Sequence, residues 1–158
     1  MSEMNEFNAN LELQHIYLEA HSERYYSLGQ YFEAYYCYRH NLVTRQGKPD
    51  WQQLFAFAKA SVQAKACSTR KETIKELVLP VSVLTGKLKA LVRDDELSVE
   101  TIGKLLDEQL DYVILSRSEL KKICLLGYEN RMPASFYQRG STEYQNPMSR
   151  FNLAEIQF

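Results

Sequence analysis

Paired cysteines, glycine-rich loops and long apolar runs are all missing from this chain of 158 residues, and each absence removes a class of function. Its three cysteines, Cys37, Cys67 and Cys124, are odd in number, far apart and set in apolar patterns without a CxxC pair. That usage fits small buried hydrophobes in a reducing compartment, so stability without disulfides and a cytoplasmic location are expected. The six glycines are scattered, which leaves no phosphate-cradling loop. No apolar run approaches the roughly 18 residues needed to cross a bilayer, so no membrane association is expected. The opening MSEMNEFNANLE has neither a basic start nor an apolar core, unlike a secretory signal. Histidine is confined to His15, His21 and His40, with no HExxH. A zinc site or a histidine-based catalytic arrangement would therefore have to lie in the first forty residues, where His15 and His21 fall on different helical faces. No catalytic residue, metal or cofactor is expected, and the chain reads as a non-enzyme. The net charge of -1 provides no bulk attraction to a polyanion.

Tyrosine, by contrast, is abundant. Seven of the eleven tyrosines lie between Tyr17 and Tyr38. If the second half of His15 to Leu42 is helical, Leu28, Tyr31, Tyr35, Tyr38 and Leu42 share one face, and Gly29 punctuates two helical patterns. The expected local structure is an αα-hairpin with its turn near Ser27 to Gln30. The order Tyr25, Gly29, Tyr31, Ala34, Tyr38, Leu42 resembles a single tetratricopeptide-like hairpin, whose helices pack through small residues and aromatic knobs. The chain departs from that pattern at Leu18, at His21 and at Asn41, where an amide replaces a small residue.

The remaining segments are read by periodicity and caps. Residues 1–9 read as a flexible start, and a first helix from Asn10 to near Ser27 buries Leu13, Ile16, Tyr17 and Ala20. A second helix covers Gln30 to Val43. Asp50 caps a third helix from Trp51 to about Ala66, with Gln53 as its capping partner. Thr69 and Glu72 form a second capping box, opening a short helix that Pro80 interrupts. Helices are further expected over Val81 to Val92, after the cap Ser98, and after the capping box of Ser116 and Glu119 as far as Gly127. The run Tyr112 to Leu115 is strand-like without an evident partner strand, so it is read as extended and buried. Residues 128–158 lose periodicity yet keep Phe136, Tyr137, Tyr144, Phe151, Leu153, Ile156 and Phe158, and are expected to be an extended, packed wrap. The whole reads as a single mainly α domain over 1–158, a helical bundle of about six helices.

Two functional expectations follow. Tyr17, Tyr31 and Tyr35 cannot all point into one hairpin core, so part of the hairpin is expected to bind a protein partner, as in an adaptor or regulatory protein, with self-association as one form of this. The alternative is nucleic-acid association through the 51–93 segment, where eight bases face only Glu72 and Glu76. Arg70, Lys71, Lys75, Lys87, Lys89 and Arg93 would then contact phosphates. The following segment, Asp94 to Asp111, carries seven acids against Lys104, so the two blocks could instead pair with each other.

Overall fold

A computed structural model describes residues 2–158. It is mainly helical, with α1 at Glu3–His21, α2 at Leu28–Arg39, α3 at Trp51–Phe57 and α4 at Val62–Lys65. Further helices are α5 at Val81–Arg93, α6 at Val99–Gln109, α7 at Arg117–Leu125 and α8 at Ser149–Leu153. Strands β1 (Lys59–Ala60), β2 (Thr73–Leu77) and β3 (Tyr112–Ser116) form one small sheet. The chain gathers into two compact units, one of residues 1–57 and 84–110, the other of residues 58–83 and 111–158.

In the first unit α1 and α2 are antiparallel neighbours. Asn5, near the start of α1, donates its amide to Asn41, just past the end of α2, at 2.7 Å. Asn41 adopts the left-handed conformation (φ 57°), with Leu42 N–H returning to the Cys37 carbonyl at 2.8 Å. Asparagine tolerates this conformation better than most residues and can also hydrogen-bond across the hairpin, which accounts for an amide at this position. Residues 2–9 do not form the expected loose start, residue 1 lying outside the described residues. Ser2 caps α1 by accepting from Asn5 N–H, and Asn5 and Ala9 are buried. The turn likewise lies earlier than expected, over residues 22–27, and Gly29 is inside α2. The core of this unit contains Ile16, Leu28, Phe32, Leu54, Leu84, Leu88, Ile102 and Leu106.

Capping predicted three helix starts. The Asp50 carboxylate accepts from Gln52 N–H and from the Gln53 side chain before α3. Ser98 with Thr101, and Ser116 with Glu119, form reciprocal boxes before α6 and α7. The third helix stops at Phe57, however, nine residues short of the expected Ala66. Lys59 and Ala60 pair in parallel with Val113 and Ile114, and Ser61 then caps the separate helix α4. Serine competes with the helical backbone for hydrogen bonds and favours a cap over a helix interior. The capping box expected at Thr69 is not formed either. Residues 73–77 join β3 as an antiparallel strand, with Ile74 opposite Leu115.

The second unit is built around β3, which is buried along its whole length and lies between β1 and β2. Both partner strands come from segments whose sequence reads as helix. Val78, Val113, Leu115, Ile123, Phe151, Ala154 and Ile156 form the core. The carboxyl-terminal stretch is packed as expected, but by turns, a short 3-10 helix at Ala134–Tyr137 and α8 rather than by extended chain. Arg150 is fully buried there, its guanidinium donating to carbonyls of Leu77, Val78, Tyr128 and Glu129.

Candidate functional site

Helix α1 is apolar on two opposite sides. Ala9, Leu13, Ile16 and Ala20 are buried. On the far side Met4, Phe7, Leu11 and Leu18 are 63%, 64%, 37% and 61% exposed. Their spacing of i, i+3, i+7 and i+14 places them in one stripe along the helix, with exposed Gln14 completing the row. Single exposed apolar side chains are ordinary, whereas several on one helix face are uncommon on a free surface. The helix also carries Glu3, Glu6, Glu12 and Glu19 and neither lysine nor arginine. Glu12 is 3.3 Å from the His15 ring, and Glu19 accepts from Ser27 N–H at 3.3 Å.

Beside the stripe an open groove of about 630 Å3 runs between α1 and α6. Ala9, Leu13, Val99 and Gly103 supply its apolar lining, while Glu6, Glu100, Lys104 and Glu108 add charge. Gly103 permits the close approach: a Cβ there would meet Leu13 Cδ1 at 3.2 Å. Tyr35, Arg39 and Asp107 also line the groove. The Tyr35 hydroxyl donates to Asp107 Oδ1 at 2.7 Å, and Arg39 binds both carboxylate oxygens of Asp107 at 3.0 Å. This bidentate pair ties α2 to α6 and raises the Arg39 pKa.

Burial, reinforced by the hydrogen bond to Asp107, holds the Tyr35 phenol far above the ordinary tyrosine range. The unfolded chain gives up this proton first, so the stabilisation is intact below about pH 10 and is lost as pH rises above it. Tyr35→Phe should reduce stability at neutral pH by about 1 kcal/mol, because Arg39 still satisfies the carboxylate. It should also flatten the alkaline decline relative to the parent chain. Urea unfolding of both proteins at neutral pH and above pH 10 checks this, and parallel declines would show that Tyr35 does not titrate late.

The structure thus separates the tyrosines expected to act together. Tyr35 is only 3% exposed and is no surface anchor, because its side chain is buried and its hydroxyl is committed to Asp107 of α6. Tyr31 is half-buried, 5.1 Å from the His15 ring, and Tyr17 is half-buried, stacked on His21 at 5.5 Å. The six cations considered for phosphate contact divide between the units. Arg70 and Lys71 lie on an exposed 3-10 turn and Lys75 on β2. Lys87, Lys89 and Arg93 are on α5, with Lys89 5.2 Å over the Tyr25 ring and Arg93 paired with Asp94. The acidic block pairs at least partly elsewhere, Asp107 with Arg39. Met4, Phe7, Leu11 and Leu18 went unrecognised as a surface. A heptad reading begun at Met4 would have found them, but treating residues 1–9 as loose chain cut the stripe in two.

The molecule is a mainly helical protein with a small mixed sheet and an exposed apolar stripe on its first helix, and no helix among the described residues is long and apolar enough to cross a membrane. Comparison with known protein families, curated proteins and solved structures finds no match to the chain.

Proposed function

We propose that this chain is a non-enzymatic protein-binding module that presents the solvent face of α1 to another protein. The observation that carries the reading is the row Met4, Phe7, Leu11 and Leu18, four large apolar side chains left in water on one face of a 19-residue helix. Burying such a row is favourable by roughly 25 cal/mol per Å2 of apolar surface, and the few central side chains supply most of the binding energy in an interface of this kind. Tyr17 and Tyr31, half-buried on the hairpin, are available as polar-tipped flanking contacts.

The double substitution Phe7→Ser with Leu11→Ser tests it. Both side chains are exposed, so stability should change by no more than about 0.5 kcal/mol per site. A partner captured by the parent chain from its host, then purified and titrated, should bind the variant at least about tenfold more weakly. Equal affinity for both proteins would remove α1 as the binding face.

A further inference from the structure

We infer that the partner is a basic amphipathic helix, seated with its apolar face on Met4, Phe7, Leu11 and Leu18 and its lysines or arginines toward the carboxylates of α1 and α6. This rests on the protein-binding reading and adds the chemistry of the occupant.

Geometry selects a helix. The stripe runs from Met4 to Leu18 at helical spacing, about 21 Å along the axis, which is the length of a partner helix of four turns. Charge selects its sign. Helix α1 has four glutamates and no lysine or arginine. Glu6 and Asn10 are one residue back from Phe7 and Leu11, hence about 100° round the helix, and face the groove. In that groove Asp107 is neutralised by Arg39, leaving Glu6, Glu100 and Glu108 against Lys104. A partner side chain one step round from its own apolar face therefore meets a net negative rim.

The same charges disfavour a second copy. Pairing two α1 helices through this stripe, in either direction, gathers eight glutamates along the helix pair with no lysine or arginine on either helix to offset them. Like charges in these positions are destabilising. An anionic membrane surface is repelled on the same ground.

The test titrates the full chain with a labelled helical peptide of leucine and lysine, and with a twin in which glutamate replaces lysine, at low and high salt. The lysine peptide should bind at least roughly tenfold more tightly than its twin and weaken as salt rises. Phe7→Ser with Leu11→Ser should weaken it about tenfold or more, while Leu125→Ser, at an exposed leucine of α7, should leave it unchanged. The triple change Glu6→Gln, Glu100→Gln and Glu108→Gln should reduce the salt dependence without unfolding the protein.

Equal or tighter binding of the glutamate peptide overturns the basic-partner inference and leaves the protein-binding reading standing. Self-association seen by sedimentation, or binding to neutral phosphatidylcholine vesicles, overturns it too if either is abolished by the Phe7→Ser, Leu11→Ser pair. Lysine-peptide binding that the pair does not weaken also overturns it. The broader reading falls separately, when a purified host partner binds the parent chain and the pair equally well.

Discussion

Arg150→Ala is expected to lower stability by roughly 3 to 5 kcal/mol, the usual cost of removing one member of a buried charged network. Its side chain is fully buried, with Nη1 donating to the carbonyls of Tyr128 at 2.8 Å and Glu129 at 3.3 Å. Nη2 donates to the Leu77 carbonyl and lies 3.4 Å from that of Val78. One guanidinium thereby joins the end of β2, the segment after α7 and the carboxyl-terminal helix α8. Alanine would leave these buried carbonyls without their donors and open a cavity beside Phe151, whose ring lies 5.2 Å from the guanidinium carbon.

Lysine should rescue little, since a single ammonium cannot reproduce the planar fork. The Glu76 carboxylate is 3.6 Å from Nη2, but it is not the main partner. Burial lowers the Arg150 pKa and raises that of Glu76 in spite of their mutual attraction, so desolvation outweighs the pairing. Glu76→Gln should accordingly cost much less than Arg150→Ala. Urea unfolding of the three variants measures the order. A loss below about 1 kcal/mol for Arg150→Ala would show that the network is not what holds α8.

Glu119→Ala should cost about 2 to 4 kcal/mol, the second largest effect expected of a single polar side chain here. Glu119 is buried, and its Oε1 accepts from Ser61 Oγ at 2.5 Å and from Ser116 N–H at 2.9 Å. The two serines are the N-caps of α4 and α7, so one carboxylate oxygen serves two helix starts, its bond to Ser61 spanning 58 residues of chain. Glu119→Gln keeps an accepting oxygen and should lose only part of the stability. Ser61→Ala should cost about 1 kcal/mol or somewhat more, as for a typical cap. Because both residues share one bond, the double mutant should lose less than the sum of the two single losses. Additive losses would indicate that the Ser61 to Glu119 contact contributes nothing of its own.

Helix starts were the most legible part of the fold. Asp50, Ser98 and Ser116 accept through their own side chains from backbone N–H groups two or three residues away, so the information needed is local. The packed carboxyl-terminal stretch was legible for a different reason: a chain carrying Phe151, Ile156 and Phe158 would expose much apolar surface if it were loose. The sheet was not legible. Trp51, Leu54, Phe55, Ala58 and Val62 repeat at helical spacing, yet the helix ends at Phe57 and Val62 is exposed. Strand β1 has only two residues, too few for any alternating pattern to be seen.

The candidate surface divides in the same way. Tyrosine density identified the hairpin as the region of interest, but density cannot distinguish Tyr35, whose hydroxyl meets Asp107 72 residues away, from a tyrosine in water. That distinction depends on where α6 lies beside α2, which is information held by another segment of the chain.

By itself the sequence determined the helical character of the chain, three of its helix starts and the burial of its carboxyl-terminal aromatics, because periodicity, caps and apolar content act over a few residues. Only the tertiary structure decided that Lys59–Ala60 and Thr73–Leu77 are strands, since a strand exists through the hydrogen bonds of its neighbours and here both neighbours are the distant β3. It also decided which side of α1 meets solvent. A helix apolar on two sides has no preferred inward face of its own, and packing against α2 and α6 covers Ala9, Leu13, Ile16 and Ala20 while leaving Met4, Phe7, Leu11 and Leu18 in water.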